Sequence, residues 1–345
     1  METINLVLEL IQIALGKRNE LSLVPTAQQW EQVKSFACKH ALAGVVFSAI
    51  EKLPKTQHPN KAVIMALYAQ AEYYKRNYSK HQTVANKLSQ LWSTLGVETI
   101  ILKGRSIAQY YPKPELRFSC DLDLFALSGW KDACTLLELK GIDLEYEVYK
   151  EAEFKVDGVY VEFHRYITPV RGNKNLYNFE LYLRELLSQE KEYFEGSKVV
   201  SPPLMFIVML YIEHALGDFL KGHISFKHIV DWVVLRDLDF DKTEFNKRCQ
   251  QFGFDRFLTL LNTITDVVEN KKSYSKLNIS EQRIFEELIT QKAKAQKKNW
   301  FKRRVDLFFE IVANAKRFRK YGYCSMHSFL FNAMWAHFFR KDVEL

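Results

Sequence analysis

Residues 118–127 read FSCDLDLFAL, with Asp121 and Asp123 one residue apart inside an otherwise largely apolar run. Side chains on a strand alternate faces with period two. Asp121 and Asp123 therefore share one face, while Cys120, Leu122 and Leu124 take the other. Two carboxylates this close repel one another, and apolar surroundings add a desolvation cost. Asp-x-Asp alone also fits a strand edge that meets solvent. If the strand is buried, its acidic face needs a compensating cation, and a hard divalent ion such as Mg²⁺ accepts carboxylate oxygens while keeping places for water and phosphate.

The surrounding pattern favours a buried strand. VETIILKG (Val97–Gly104) is β-branched and apolar up to a Lys-Gly turn, which predicts a strand over 97–102. A short helix is expected over 106–111, closed by Pro112 and Pro114, then the Asp-containing strand over 119–127. A helix over 130–140 ends at Gly141. Residues 144–149, 153–156 and 159–167 alternate like antiparallel strands, with Asp157-Gly158 as a hairpin turn between the last two. Helical spacing dominates on both sides. Thr26 stands where an N-cap is expected, a longer helix is expected from near Asn60, and Val84, Leu88, Leu91 and Leu95 follow at helical steps before Gly96. Helical patterns return from Leu176, with Pro202-Pro203 opening one helix and Ser225 capping another.

The fold class expected is α+β: a small mixed β-sheet core, residues 96–170, embedded between a helical N-terminal region, 1–95, and a helical C-terminal region, 171–345.

A third acid completes the chemistry. In VYVEFHRYI, Glu162 sits between apolar Val161 and Phe163, on a strand able to lie beside that of Asp121. Three carboxylates around one or two Mg²⁺ ions suit phosphoryl or nucleotidyl transfer, where cations neutralise nucleotide phosphates and one acid helps deprotonate the attacking hydroxyl.

The order of these parts resembles the polymerase-β-like nucleotidyltransferase superfamily. It is similar in particular to a nucleotidyltransferase family marked by LKG, a Tyr-Pro segment, an Arg, a DhDh pair (h, hydrophobic) and a later hydrophobic-Glu-hydrophobic-His. Here these are Leu102-Lys103-Gly104, Tyr110-Tyr111-Pro112, Arg117, Asp121-Leu122-Asp123-Leu124 and Val161-Glu162-Phe163-His164. The likeness is tight over about 65 residues and extends loosely to IEHAL (212–216) and FKHIVDW (226–232).

The resemblance implies that Asp121, Asp123 and Glu162 are the metal ligands and catalytic acids. It implies that the Gly104 turn brings backbone N–H groups to the nucleotide phosphates, with Lys103 and Arg117 as phosphate or pocket cations. The wider superfamily has Gly-Ser at this turn; here it is Gly104-Arg105-Ser106, so Ser106 one residue later, or Arg105 with the backbone, would take that place. His164 shares a strand face with Glu162 and is a candidate nucleotide or substrate contact. His214 and Asp231 fall on helices that the family places near the cleft. Each of these three also reads as a structural polar contact. His214, His223 and His228 match no zinc spacing signature, and no zinc site is expected from them.

The net charge of +8 is concentrated in one place. Residues 291–320 carry eleven Lys/Arg against two acids, while the rest of the chain, 38 basic and 39 acidic, is near neutral. Aromatic residues interleave those cations, so the segment reads as a nucleic-acid surface, an anionic membrane surface, or a packed helix with Val305, Phe308, Ile311 and Val312 facing the core. Five scattered cysteines without a CxxC pair fit a reducing compartment. No signal peptide is evident, no apolar run approaches the roughly 20 residues of a membrane span, and a cytoplasmic location is expected.

The leading expectation is a Mg²⁺-dependent nucleotidyltransferase moving an NMP from an NTP, ATP first, to a small molecule, a protein side chain or RNA. The alternative is a binding module on the same fold, holding nucleotide, peptide or partner protein without turnover. A two-metal nuclease ranks behind both, because the Lys-Gly turn suits a triphosphate.

Overall fold

The computed structural model describes residues 2–147, 150–170, 173–189, 191–290 and 308–330. Four helices come first: α1 (Glu2–Ala14), α2 (Ala27–Lys39), α3 (Ala43–Ile50) and the long α4 (Lys61–Ser93). The cap expected at Thr26 is present, and the helix expected from near Asn60 is capped by that residue. The Thr26 side chain accepts from Gln29 N while the Gln29 side chain accepts from Thr26 N, and the Asn60 side chain accepts from Val63 N at the start of α4.

The sheet follows, built from β1 (Ile100–Ile101), β2 (Leu122–Phe125), β3 (Glu145–Glu147), β4 (Glu151–Val156), β5 (Val159–His164), β6 (Glu192–Tyr193) and β7 (Val200–Ser201). Helices α5 (Arg105–Ala108), α6 (Trp130–Leu139) and α7 (Lys174–Leu187) are interspersed. The strands lie in the order β3-β4-β5-β2-β1-β7-β6. β2 runs parallel to β5 and β1 parallel to β7; the other neighbours are antiparallel. Asp157 and Gly158 turn the β4–β5 hairpin with φ of 51° and 79°, the left-handed pair that a two-residue turn requires.

The C-terminal part comprises α8 (Leu204–Lys221), α9 (Phe226–Leu235), α10 (Lys242–Phe252), α11 (Asp255–Val268), α12 (Ile279–Thr290) and a short helix Ala315–Tyr321. An α+β protein with a mixed sheet between helical flanks is what the sequence pattern predicts.

Two apolar clusters organise the packing. The larger joins the N-terminal helices to α7–α11, so residues as distant as Val7 and Phe257 belong to one core. The smaller covers one face of the sheet: Leu122, Leu124, Val161, Phe163 and Phe154 pack against Val84, Leu88 and Trp92 of α4 and Leu137 of α6. Trp92 stacks on Phe163 at 4.2 Å between ring centroids. Because this face is sealed by apolar helices, period two sends Asp123 and Glu162 to the opposite face.

Several local expectations differ from the structure. The strand expected over 97–102 pairs only at Ile100–Ile101, and that over 119–127 only at Leu122–Phe125, so Asp121 lies one residue before the strand. The segment after Leu176 is not purely helical: Tyr193 pairs with Val200, and Val200 with Ile100. Strands of two residues carry no readable periodicity, and β7 is specified by its partner β1 rather than by local propensity.

Of the basic segment, residues 291–307, with Val305, lie outside the described residues. Among those described, Ile311 is buried but Phe308 and Val312 are 45% and 42% exposed, so the expected core stripe is met at Ile311 alone. The buried contacts come further along, at Phe318 and Tyr321. No helix among the described residues is long and apolar enough to cross a membrane.

Candidate functional site

The acidic face of the sheet gathers groups from four strands and turns. β2 and β5 align in parallel with Asp123 opposite Glu162, and β4 and β5 align with Glu151 opposite His164. Lys103, in the turn after β1, places its Nζ 2.7 Å from Asp123 Oδ1. His164 is 1% exposed and lies between carboxylates: Nε2 is 3.0 Å from Asp123 Oδ1 and 3.7 Å from Glu162 Oε2, and Nδ1 is 2.8 Å from Glu151 Oε2. Asp123 is 4% exposed.

Burial and mutual repulsion split the acids electrostatically. Burial opposes ionisation of Asp123, but Lys103 and His164 outweigh it and hold its carboxyl well below the usual range. Glu162 receives no such relief. Burial, then the Asp123 charge, push its carboxyl up to about 7 against the pull of Lys103. Burial and Asp123 likewise raise Asp121. His164 is held above its usual value because Glu151 and Asp123 overcome burial and the Lys150 charge.

The Gly104 turn adjoins these acids. Gly104 has φ 65° and ψ −94°, a backbone region that costs a residue with a Cβ. A Cβ there would also meet Ser119 Oγ at 2.7 Å. Arg117 holds the turn from beneath. Its Nη1 donates to Gly104 O and to Ser119 Oγ, each at 3.0 Å, while Nε and Nη2 donate to the two carboxylate oxygens of Asp231 on α9, each at 2.8 Å. Tyr111 Oη donates to Asp231 Oδ1 at 2.6 Å. Arg117 and Asp231 are 6% and 2% exposed. Four of the five guanidinium N–H groups are thus directed at protein oxygens.

The other residues singled out in the sequence are placed as follows. Ser106 is fully buried in the single turn of α5, its Oγ donating to Leu102 O at 3.0 Å. The Arg105 guanidinium stacks on Phe194 at 4.6 Å and on Tyr78 at 5.4 Å from the ring centroids, with Nε and Nη1 buried without a hydrogen-bond partner. His214 lies on α8 beside Asp218 rather than against the acids of the sheet. The structure therefore brings Asp121, Asp123, Glu162, Lys103 and His164 together, sets Arg117 and Asp231 behind the Gly104 turn, and leaves His214 on a neighbouring wall.

Three further residues contribute. Glu151 was legible, since counting back from Asp157-Gly158 puts it opposite His164. Lys227, on the first turn of α9, has its ammonium lowered to about 8 by burial and Arg117, against the attraction of Asp231, Asp121 and Asp123. His81 of α4 is lowered to about 4 by burial, opposed by the Asp123 charge. Only tertiary packing brings these last two to the acids, so no local signal marks them.

The carboxylates gathered here fit a hard divalent cation. Oxygens of Asp123 and Glu162 and a ring nitrogen of His164 lie within 4.8 Å of one another. The repulsion that raises Glu162 and Asp121 is of the kind a cation relieves, and the Lys103 ammonium already occupies part of that role.

Compared with known protein families, residues 26–267 match the sequence model of a family described as "uncharacterised nucleotidyltransferase". That span includes the whole sheet, the Gly104 turn and helices α8 and α9. No curated protein matches the chain.

Proposed function

The chain belongs to the uncharacterised nucleotidyltransferase family, and from that premise we propose that it moves a nucleoside monophosphate from an NTP, ATP first, to a hydroxyl-bearing acceptor in a Mg²⁺-dependent reaction. The observation that carries this reading is the lateral registry of Asp123 and Glu162 on parallel strands with Lys103 at 2.7 Å from Asp123. Asp121, Asp123 and Glu162 would hold Mg²⁺, which when bound neutralises phosphate charge and lowers the barrier to displacement.

The protein groups have distinct tasks in the displacement. The acceptor oxygen forms a bond to the α-phosphorus, the bond to the bridging oxygen breaks, and pyrophosphate leaves with its electron pair. Glu162, beside Asp123 on the neighbouring strand, would take the acceptor's proton. His164 orients the Asp123 carboxylate through its 3.0 Å contact. Arg117 fixes the Gly104 turn beside the acids, and Lys103 and Lys227 supply positive charge toward a triphosphate.

Calorimetric titration of ATP and GTP, each with Mg²⁺ and with EDTA, tests the proposal on the wild type and on Asp123→Asn/Glu162→Gln. Metal-dependent binding lost in the double variant, together with pyrophosphate release in the presence of an acceptor, is expected. Equal binding with and without the acids, or none in either protein, overturns it and favours a binding role without turnover.

A further inference from the structure

A second cluster of metal-ligating side chains stands on α8 and α9. His214 and Asp218 are one helical turn apart on α8, and His228 lies on the first turn of α9. His214 Nε2 is 3.7 Å and His228 Nε2 is 3.4 Å from the same oxygen, Asp218 Oδ2, and the three donor atoms all lie within 4.8 Å of one another. Those separations are long for N–H···O hydrogen bonds. They are close to the edge of a coordination tetrahedron with bonds of about 2.1 Å, which is about 3.4 Å. We propose that His214, Asp218 and His228 form a site for a borderline divalent transition metal, Zn²⁺ or its stand-in Co²⁺, which clamps the end of α8 to the start of α9. The proposal is independent of the nucleotidyl-transfer reading.

The surroundings suit ligation. The second Asp218 oxygen, Oδ1, is held by Lys221 Nζ at 3.1 Å, leaving Oδ2 for the shared centre. A carboxylate fixed by an outer partner is the usual support of a metal ligand. The Lys221 ammonium beside Oδ1 favours the ionised carboxylate that binds metal. The His214 side chain is 42% exposed, so entry and an open coordination position are available. Nearby ammoniums disfavour a hard cation held by charge alone, whereas two imidazoles and one carboxylate favour Zn²⁺ or Co²⁺ over Mg²⁺.

One rearrangement is required. His228 Nδ1 accepts from Ser225 N at 3.0 Å in the α9 capping box, which places the neutral ring's proton on Nε2. Metal binding at Nε2 moves that proton to Nδ1, where Ser225 Oγ, 2.9 Å away, accepts it and the Ser225 N–H gives up Nδ1 as its acceptor. Ser225 is therefore an outer-shell partner, and its loss costs roughly 10–100-fold in metal affinity, as is typical of such partners.

The test uses the full chain, stripped with chelator and held in Mg²⁺-free buffer. Zn²⁺ is titrated by calorimetry and Co²⁺ by visible absorption. The expected result is one tight Zn²⁺ per chain and a tetrahedral Co²⁺ spectrum, kept in Glu162→Gln, lost in His214→Ala and weakened in Ser225→Ala. His214 is partly exposed on a helix, so alanine there leaves the fold intact, as far-UV circular dichroism checks. His214→Cys, which exchanges one ligand for another, keeps binding. Absence of stoichiometric Zn²⁺, binding unchanged in His214→Ala, or binding lost in Glu162→Gln overturns the proposal.

Discussion

Asp123 and Glu162 face each other across parallel strands, yet their protons are held in opposite senses: Asp123 is kept ionised by Lys103 and His164, while Glu162 is lifted to about 7. Neutralising each therefore has opposite consequences for the metal-free protein. At pH 8, Glu162→Gln removes a buried, repelled charge and stabilises by up to about 3 kcal/mol. Asp123→Asn takes the 2.7 Å partner from the Lys103 ammonium, with Glu162 and Asp121 compensating in part, and costs up to roughly 3–5 kcal/mol. Urea unfolding of the two variants reads both signs. Loss of stability in both would mean that Glu162 is not electrostatically strained.

Under the proposed chemistry, Glu162→Gln also slows nucleotide transfer by roughly 100-fold or more, despite the gain in stability. Pyrophosphate release at saturating ATP and Mg²⁺ measures it. A variant of undiminished rate would remove Glu162 from the reaction.

Arg117 and Asp231 form a buried bidentate pair. Removing either partner leaves the other buried and uncompensated, which costs roughly 3–5 kcal/mol. The double variant Arg117→Met/Asp231→Leu costs much less than the sum of Arg117→Met and Asp231→Leu. A thermodynamic cycle from chemical denaturation decides the point, and additivity within error would show that the pair is not coupled.

Gly104→Ala combines positive φ with a Cβ only 2.7 Å from Ser119 Oγ, and roughly 1–3 kcal/mol of destabilisation is expected. Adding Ser119→Ala removes the steric clash but not the backbone strain, so recovery is partial. Melting temperatures of the single and double variants separate the two contributions; full recovery would place the whole cost in the clash.

Glu213 of α8 supplies a pH test away from the sheet. It is 6% exposed, and burial raises its carboxyl to about 7 against the charges of Lys221, Lys150 and Lys103. A carboxyl raised from 4.5 on folding contributes stability that is full below pH 4.5 and is lost as pH rises through about 7. Glu213→Gln therefore matches the wild type near pH 4.5 and is more stable by about 2–3 kcal/mol at pH 8. A difference independent of pH would exclude titration of Glu213 as its cause.

What was legible in the sequence was legible for local reasons. Thr26 and Asn60 cap helices through atoms three residues away, and Asp157-Gly158 sets the register that places Glu151 opposite His164. Asp123 and Glu162 share a face because period two and the apolar neighbours Leu122, Leu124, Val161 and Phe163 leave them nowhere else to point, whereas Asp121, one residue before the strand, does not follow from that rule. Long-range partners were not legible. Arg117 looked like a free cation because Asp231 lies 114 residues onward, and β7 has no pattern of its own without Ile100 beside it.

The Arg117–Asp231 pair has a further consequence. Residues 96–170 carry every acid of the site, yet the turn next to those acids is braced by α9, and β1 is flanked by β7. Grafting that stretch alone onto another scaffold would transplant the carboxylates without their brace, exposing Ile100 and leaving a buried guanidinium unanswered. The site is heritable only together with the helices around it: a junction between residues 117 and 231 would part Arg117 from Asp231, and one between α4 and the sheet would part Trp92 from Phe163.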